Sequence, residues 1–321
     1  MKENVLFIDH TSREMEEELQ RCCPDHLNMQ FLNPVWGPKG TLEEADYIID
    51  SAEPVTKELL DRAVKVKMIL RTGVGVDHVD MEEASRRKIP VCIAVGCLQD
   101  SVAELAILHM LSLYRKLTVL DPSTRAGKWD KFTYKQNSYE IKGKIIGIIG
   151  SGRIGKSIME KLSGFKPSKI YYSDPYRMLE DEETRLGAEY ISLEELIKNS
   201  DIISISVPYR PENEKMISRD LIGKMKPQAL FINTARGSLV DFEALEEALR
   251  EKRIGGAGLD VFAKEPVSPD DPILRLENVS ISPHIGSSTS DCFHAVCMLC
   301  FENIGRMQRG QTLLYDVTQY R

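Results

Sequence analysis

Short apolar runs alternate along the chain with stretches in which apolar positions recur at helical spacing. In the first hundred residues, the predicted strands are Val5–Ile8, Met29–Leu32, Tyr47–Ile49, Met68–Leu70 and Val91–Val95. Helical patterns separate several of these runs, at residues 14–20, 57–64 and 81–87. Buried strands that alternate with helices are typical of a parallel sheet, so this part of the chain is predicted to form a flavodoxin-like α/β unit.

The same alternation continues after Lys142. Further strands are predicted at residues 145–149, 169–173, 202–207, 229–233, 256–261 and 278–282, with helices at 156–163, 216–225 and 242–252. Ser192 and Glu195 have the spacing of a capping box, in which each side chain satisfies a backbone N–H of the helix start. The second half is therefore predicted to form a separate α/β domain.

A long apolar helix links the two halves. Ser101 and Glu104 have capping-box spacing, which predicts a helix from Ser101 to about Leu120. His109 lies within this helix and is interpreted as an interior or interface histidine whose ring nitrogens are hydrogen-bonded. The polar and aromatic segment 121–140 has no clear period, and a loop of that length is often functional or an interface.

The domain boundaries follow from these elements. Segment 121–140 is predicted to be an arm that packs on the other domain or on another subunit, with Trp129 as its anchor. A final helical pattern at 291–307 follows the second domain, whereas the first half lacks a closing helix. We therefore predict a discontinuous domain of residues 1–98 and 290–321, interrupted by a domain of residues 99–289.

The apolar run Ile145–Ile149 ends in Gly150-x-Gly152-x-x-Gly155 and is followed by a helix, a second strand and Asp174. This order is the context that a dinucleotide-binding loop requires. Gly150 permits a tight turn, Gly152 lets the backbone approach a pyrophosphate, and Gly155 lets the helix pack closely on the strand. Asp174 would accept hydrogen bonds from ribose hydroxyls and repel a 2′-phosphate, which favours NAD over NADP.

Composition excludes several other classes of protein. A formal charge of −7 and a pI near 5.6 disfavour a nucleic-acid partner and an acidic membrane surface. The first apolar run is too short for a signal peptide or a membrane span. Seven scattered cysteines in a chain of 321 residues favour reduced thiols and a cytoplasmic location.

Three side chains suited to one reaction follow predicted strands in the second half. Arg236 follows 229–233, Glu265 follows 256–261, and His284 follows 278–282. A guanidinium can bind a carboxylate through two hydrogen bonds, and a histidine can exchange a proton with the neighbouring oxygen. Spacing alone leaves open whether Arg236 and Glu265 are ordinary surface residues and His284 a turn residue.

Several motifs together resemble the D-isomer-specific 2-hydroxyacid dehydrogenases, and the resemblance runs in order from about Asp46 to Thr289. The segments that carry it, with the glycine loop, are Arg71–Asp77, Ser101–Glu104, Thr234–Asp241, Gly258–Pro266 and Ser282–Thr289. The resemblance implies an active site in the cleft between a flavodoxin-like substrate domain and an inserted Rossmann-type NAD-binding domain. It also implies a homodimer that transfers hydride between NAD(H) and a small D-2-hydroxy or 2-keto acid.

The resemblance also implies roles for single residues. Arg236 would bind the substrate carboxylate, His284 would be the general acid/base, and Glu265 would be its partner. Val74 and Gly75 would hold the same carboxylate through backbone N–H groups. The residues that would contact the cofactor are Val74, Gly150, Gly152, Arg153, Ile154, Gly155, Asp174, Val207, Pro208, Thr234, Ala235, Asp260, His284 and Gly286.

Departures from the family pattern concern the substrate. Phosphoglycerate-type members tend to carry an arginine for the substrate phosphate where this chain has Asp50, and a carboxylate there would oppose a phosphate. The segment Val95–Gln99 also departs from the family pattern. Residues around Asp50, Val74 and Leu98 are therefore expected to decide which acid is used, and 3-phosphoglycerate is disfavoured.

Three alternatives remain. The chain could be a non-enzymatic NAD-sensing protein, since transcriptional corepressors resemble the same family. A methyltransferase with another adenosine cofactor would fit the glycines but would leave Arg236, Glu265 and His284 unexplained. Cys292, His294, Cys297 and Cys300 could form a zinc or redox site, but their helical spacing favours buried core cysteines, so no metal is expected.

Overall fold

The computed structural model describes residues 2–35, 37 and 40–318. They form two compact units, one from residues up to Leu98 together with those from Ser287 onward, and one from Gln99–Gly286. The second boundary thus lies three residues before the predicted one. Among the described residues, no helix combines the length and apolar character needed to cross a bilayer.

Twelve strands and eleven α-helices are described. The strands are β1 (Glu3–His10), β2 (Leu27–Asn33), β3 (Tyr47–Asp50), β4 (Met68–Arg71), β5 (Val91–Cys92), β6 (Ile145–Ile149), β7 (Lys169–Ser173), β8 (Ala188–Tyr190), β9 (Ile202–Ile205), β10 (Leu230–Asn233), β11 (Gly256–Leu259) and β12 (Val279–Ile281). The helices are α1 (Arg13–Cys22), α2 (Lys57–Arg62), α3 (Met81–Arg86), α4 (Gln99–Tyr114), α5 (Leu117–Arg125), α6 (Arg153–Ser163), α7 (Glu180–Leu186), α8 (Leu193–Asn199), α9 (Arg219–Gly223), α10 (Phe242–Arg250) and α11 (Ser290–Gln308).

The first unit contains a parallel sheet in the order β2-β1-β3-β4-β5. This is the flavodoxin-like order, so the prediction for the first half is confirmed. Its strands are buried on both faces because helices cover them, as the unbroken apolar runs indicated. Helix α11 belongs to this unit and packs against α1.

The second unit contains a parallel sheet in the order β12-β11-β10-β9-β6-β7-β8. Counted within the unit, this is the Rossmann order 3-2-1-4-5-6 with one more strand, which confirms the fold prediction. The order reverses between β6 and β9. Ligands of open α/β sheets bind outside the carboxyl ends of the strands at such a reversal.

Some local predictions were wrong. The linking helix α4 begins at Gln99 and ends at Tyr114, because Lys116 adopts φ +54° and separates it from α5. Ser101 is therefore inside the helix and does not cap it; its Oγ donates instead to the carbonyl of Gly286 at 2.7 Å. The capping box of Ser192 and Glu195 is present as predicted.

The predicted arm is not a simple loop. Its first residues, up to Arg125, belong to α5, and a 3-10 turn covers Lys135–Asn137. The side chain of Trp129 is 81% exposed. Its role as an anchor on another subunit therefore stays a prediction.

Candidate active site

Strand register brings the predicted chemistry to one edge of the seven-stranded sheet. The last residues of five neighbouring strands form one row across it: Ile149, Ile205, Asn233, Leu259 and Ile281. The chain leaves the sheet beyond this row, and every predicted site residue between 150 and 286 follows one of these strands or β7. The sequence motifs are therefore neighbours in space because parallel strands end at the same edge.

The glycine loop has the geometry that its spacing predicted. Gly150 adopts φ +97°, and a Cβ there would lie 2.6 Å from the carbonyl oxygen of Ser206. A Cβ on Gly155 would lie 2.0 Å from the carbonyl oxygen of Gly150, so α6 starts in direct backbone contact with the loop. A Cβ on Gly152 would meet no atom within 4 Å. The open side of the loop is thus at Gly152, where a ligand could approach.

The amino-terminal end of α6 is suited to an anion. Gly152 is the N-cap, no side chain caps the helix, and its first turn carries no acidic residue. The first backbone N–H groups of a helix lack intrahelical partners and lie at the positive end of the helix dipole. Arg153 and Ile154 occupy this first turn, so the loop and helix together can bind a pyrophosphate.

Asp174 lies directly after β7 and beside the glycine loop. Its Oδ2 accepts from the Ser151 N–H and its Oδ1 from the Tyr176 N–H, both at 2.8 Å. These two bonds fix the carboxylate in orientation while it stays half-exposed. Each oxygen has a further lone pair for a ribose hydroxyl.

Two buried hydroxyls at this edge of the sheet lack hydrogen-bond partners among the described residues. They belong to Ser206 and Thr234, which directly follow β9 and β10. Buried hydroxyls are normally hydrogen-bonded, so an unsatisfied pair at a strand edge fits a site that is completed by a ligand. Together with the open space at Gly152, this fits a nicotinamide dinucleotide. Val207, Pro208 and Ala235 are the exposed or half-exposed neighbours of these hydroxyls.

His284 and Glu265 form a hydrogen-bonded pair. The Nδ1 of His284 lies 2.6 Å from Oε2 of Glu265, and Oε1 of Glu265 accepts from the Phe262 N–H at 2.9 Å. Burial raises the pKa of Glu265. The hydrogen bonds from His284 and Phe262 and the nearby charge of Arg236 lower it by more, so the net pKa lies below its usual value. Glu265 is therefore an ionised partner, and Nε2 of His284 is the nitrogen that can act on a substrate.

Arg236 lies in the turn after β10, and the side chain of Asn233 holds the backbone of this turn. The buried amide of Asn233 donates to the Arg236 carbonyl at 2.9 Å and accepts from the Ala235 N–H at 3.0 Å. A Cβ on Gly237 would lie 1.9 Å from the carbonyl oxygen of Phe262. The turn of Arg236 and the loop that leads to Glu265 thus contact each other through their backbones, which explains why the charge of Arg236 reaches Glu265.

Asp260 is buried and serves the backbone of the His284 turn. Its carboxylate accepts from the N–H groups of Ile285 and Gly286, each at 2.8 Å, and from Ser282 Oγ at 2.6 Å. The His284 N–H donates to the Asp260 carbonyl, also at 2.8 Å. The family resemblance implied a cofactor contact for Asp260 but gave no sign of this second role, which holds His284 at φ +54°.

A buried histidine extends this network. His109 is 3% exposed, and its Nδ1 and Nε2 lie 2.8 Å and 3.1 Å from the hydroxyls of Ser280 and Ser282. Burial lowers the pKa of His109, with the charge of Asp260 acting in the opposite direction. The interpretation of His109 as a hydrogen-bonded interior residue is therefore confirmed. Its link through Ser282 to Asp260 could be found only from the pairing of β11 with β12.

In the first unit, the segment with Val74 and Gly75 follows β4. Val74 is 42% exposed, and the Nε of Arg71 donates to the Gly75 carbonyl at 3.0 Å. Arg71 also forms a salt bridge with Asp50, and both side chains are buried. Burial raises the pKa of Asp50, and the charge of Arg71 offsets part of that rise.

This arrangement corrects the expectation for Asp50. Its side chain is fully buried and salt-bridged to Arg71, so it cannot act as an exposed carboxylate that repels a substrate phosphate. Leu98 is also buried, at 7% exposure. Both side chains are therefore buried. Asp50 supports the Val74–Gly75 segment by holding Arg71, which donates to the Gly75 carbonyl. Asp50 and Arg71 are register partners on β3 and β4. The sequence alone does not show this pairing, because it depends on how the two strands align.

Comparisons with known proteins agree with this geometry. Residues 107–286 match the family model described as "D-isomer specific 2-hydroxyacid dehydrogenase, NAD binding domain". A glyoxylate reductase of Thermococcus litoralis is 38% identical over 289 residues, which cover 87% of this chain and 86% of that protein. A D-3-phosphoglycerate dehydrogenase of Methanocaldococcus jannaschii is 38% identical over 272 residues, or 84% of this chain and 51% of that protein.

Solved structures show the same fold over nearly the whole chain. A putative D-isomer specific 2-hydroxyacid dehydrogenase from Polaromonas superposes with a TM-score of 0.86 at 30% identity, covering 99% of this chain and all of that one. An acyclic imino acid reductase in complex with NADPH and D-Arg superposes with a TM-score of 0.80 at 25% identity, covering 98% and 99%. The chain belongs to the D-isomer specific 2-hydroxyacid dehydrogenases and is an oxidoreductase that transfers hydride between a nicotinamide dinucleotide and 2-hydroxy or 2-keto acids.

Proposed function

We propose that the protein reduces a small, unphosphorylated 2-keto acid with NADH, with glyoxylate as the first candidate. The observation that carries the proposal is the 2.6 Å pair of His284 and Glu265 at the same sheet edge as Arg236. Relatives named glyoxylate reductase, with 35–38% identity, support the choice of a small substrate. Pyruvate and hydroxypyruvate are the next candidates.

Arg236 is proposed to bind the substrate carboxylate. Its planar guanidinium can donate two parallel hydrogen bonds, which orient the neighbouring carbonyl as well as hold the acid. Val74 and Gly75 of the first unit are proposed to donate backbone N–H groups to the same carboxylate. The support is the bond from Arg71 to the Gly75 carbonyl, which holds this exposed segment in place.

His284 is proposed to be the general acid of the reduction. Its Nε2 would donate a proton to the substrate carbonyl oxygen, which becomes the hydroxyl of the product. NADH, when bound, supplies the hydride for the carbonyl carbon. Glu265 would hold the imidazole in orientation through Nδ1, as an ionised acceptor whose own pKa is held below the usual value. In the oxidation direction, His284 would accept the same proton.

Asp174 is proposed to select NADH over NADPH. Both of its oxygens are held by backbone N–H groups beside the glycine loop, so its negative charge would face a 2′-phosphate. Arg177, the cation nearest in sequence, is paired through two bonds with Glu183, at 2.9 Å and 3.0 Å. Because the structurally similar imino acid reductase is in complex with NADPH, the fold alone does not set the cofactor, and these local residues are proposed to decide the choice in this chain.

The protein is further proposed to be a cytoplasmic homodimer. The support for a subunit interface is a set of large apolar side chains that are at least half exposed on α4, α5 and the arm: Leu108, Leu117, Trp129 and Phe132. The support for a reducing compartment is that all seven cysteines are free thiols. Light scattering of the purified chain and of a double Trp129→Ala, Phe132→Ala variant tests the interface.

The decisive experiment combines a substrate screen with removal of the acid. NADH oxidation is measured with glyoxylate, pyruvate, hydroxypyruvate, phenylpyruvate, branched 2-keto acids and phosphohydroxypyruvate. His284→Ala is expected to lower kcat by about 100-fold or more, since that is the usual contribution of general acid catalysis, while NADH binding is retained. Retained turnover in this variant would contradict the assignment.

The same screen separates an enzyme from a sensor. If every keto acid is inert in the wild-type protein although NADH binds, the proposed activity is wrong and a non-enzymatic NAD-sensing role is favoured. Phosphohydroxypyruvate as the best substrate would instead contradict the choice of an unphosphorylated acid.

A further inference from the structure

Two helices of the first unit place four metal-binding side chains at their contact. Glu18 and Cys22 are four residues apart on α1, and His294 and Cys297 are three residues apart on α11. Residues at these spacings share one face of a helix. Because α1 and α11 pack against each other, the two faces meet.

Three of these side chains converge on one point. Cys22 Sγ lies 3.7 Å from His294 Nδ1 and 3.3 Å from Glu18 Oε1, and the nitrogen and oxygen are 2.6 Å apart. All three ligand atoms lie within 4.8 Å of one another. Cys297, which is 1% exposed, is a buried neighbour of Cys22. The sequence pattern places His294 with Cys292, Cys297 and Cys300 of its own helix, whereas in the structure its ring meets Cys22 of α1.

We propose that Glu18, Cys22 and His294 bind a zinc ion through Oε1, Sγ and Nδ1, with a fourth position left for water or an exogenous ligand. Sulfur, imidazole nitrogen and carboxylate oxygen are the zinc ligands of proteins. Tetrahedral zinc at its usual bond lengths separates such ligand atoms by about 3.3–3.6 Å. On binding, the Cys22 thiol would release its proton to solvent, and bonds to zinc would replace the hydrogen bonds of Glu18 Oε1 with Cys22 and His294. The largest movement is that of His294 Nδ1 away from Glu18 Oε1, by about 0.7 Å.

The surroundings favour a cation and let it enter. Glu18 and His294 are on the wall of a cavity of about 900 Å³ within the first unit. The charged side chains that line this cavity, apart from His294, are Glu14, Glu17, Glu18, Asp291 and Arg21. Arg21 pairs with the other oxygen of Glu18, which leaves Oε1 for the metal. The fourth position would face this cavity.

The proposed zinc ligands are different residues from those proposed for proton transfer and for Arg236's carboxylate binding. They lie on α1 and α11, whereas Arg236, Glu265 and His284 lie in the second unit. Binding would link α1, near the start of the chain, to α11, near its end. Such a link is expected to stabilise the first unit, because a ligand that binds only the folded state shifts the folding equilibrium.

The test uses the full-length protein in a non-thiol reductant, stripped of metal with a chelator and titrated with zinc chloride. We expect one bound zinc per chain in the wild type, with a rise in melting temperature. Cobalt chloride should produce a thiolate-to-cobalt charge-transfer absorption. Cys22→Ser and His294→Gln should each weaken zinc binding by about tenfold or more, abolish the thermal shift, and leave NADH binding unchanged.

Matched controls are present in the chain. Cys23→Ser removes the adjacent thiol, and His26→Gln removes a histidine of the same unit that lies against Gln308; both variants should bind zinc as the wild type does. His284→Ala should also bind zinc as the wild type does, which would show that the zinc is not bound by the His284–Glu265 pair. His294 is exposed, so His294→Gln remains informative if Cys22→Ser fails to fold.

Three results would overturn the proposal. One is a wild-type protein that binds no zinc at micromolar concentration. Another is zinc binding in Cys22→Ser and His294→Gln as strong as in the wild type. The third is a cobalt complex without the thiolate absorption. A wild-type protein that is inactive with every keto acid would contradict the proposed function but not the zinc site, because the zinc test measures metal content and melting temperature.

Discussion

Each unit contains an interior strand of its parallel sheet that is followed directly by a helix, yet the two strand-to-helix junctions differ. After β1, helix α1 is capped by Ser12, whose Oγ accepts from the Met15 N–H at 3.3 Å, and Glu14 and Glu16 lie in its first turn. After β6, helix α6 has Gly152 as its N-cap, no side-chain cap, and no acid in its first turn.

The difference shows that the same strand–helix order can either satisfy the N–H groups at the helix start internally or leave them for a ligand. At α1, the chain's own side chains satisfy the free N–H groups and place negative charge at the positive end of the helix dipole. At α6, the same groups are left for an external anion. The dinucleotide is therefore expected to bind the second unit, and the following changes test that contrast.

The largest effect is expected for Gly155→Ala. A Cβ at this position would lie 2.0 Å from a backbone oxygen of the same loop, so α6 would have to move away from the strand. We expect the free energy of unfolding in urea to fall by about 3 kcal/mol or more, together with loss of NADH binding. Gly164→Ala, at the other end of α6, is the control, because its Cβ would meet its nearest neighbour at 3.7 Å. Equal stability of the two variants would contradict the close-packing argument.

Asp174→Ala is expected to act on the cofactor. Loss of a charged hydrogen-bond acceptor should weaken NADH binding by about 10- to 100-fold and reduce the preference for NADH over NADPH. Dissociation constants for both dinucleotides, measured by fluorescence, check this expectation. Asp181→Ala removes an exposed acid from the first turn of α7 and should change neither constant. An unchanged NADH:NADPH preference in Asp174→Ala would remove the basis for NAD selection.

Gly152→Ala is expected to separate binding from folding. The residue has φ −68° and open space around it, so alanine fits the backbone and should leave stability unchanged or raise it by about 0.5 kcal/mol. The added methyl would occupy the approach of the pyrophosphate, and we expect NADH binding to weaken by about tenfold, or 1.4 kcal/mol. Titration calorimetry and urea unfolding measure the two effects. Full NADH affinity would mean that the open side of the loop does not face the cofactor.

Ser12→Ala completes the comparison with the smallest effect. Removing the cap of α1 should lower the free energy of unfolding by about 1 kcal/mol and should leave NADH binding unchanged. Ser218→Ala, which removes the cap of α9, is the matched change in the other unit. A loss of NADH affinity in Ser12→Ala would mean that the α1 junction also takes part in cofactor binding.

Much of this fold and site could be predicted from sequence because the responsible signals are local. The glycine spacing at 150–155 reflects steric contacts within a few residues, and the apolar runs reflect strands covered on both faces. The helix boundaries near Ser101 were wrong because the competing partner of Ser101, the carbonyl of Gly286, is 185 residues away. The helical start of the arm was missed because its polar residues carry no clear apolar period.

By itself, the sequence determined the two α/β units, the dinucleotide loop and the residue types for acid–base chemistry, since each depends on short-range pattern or motif. Only the tertiary structure decided how distant side chains meet. It buries Asp50 against Arg71, uses Asp260 to hold the turn of His284, and brings Cys22 to His294 across 272 residues. The physical reason is that strand register and helix packing, which depend on the whole core, set these distances.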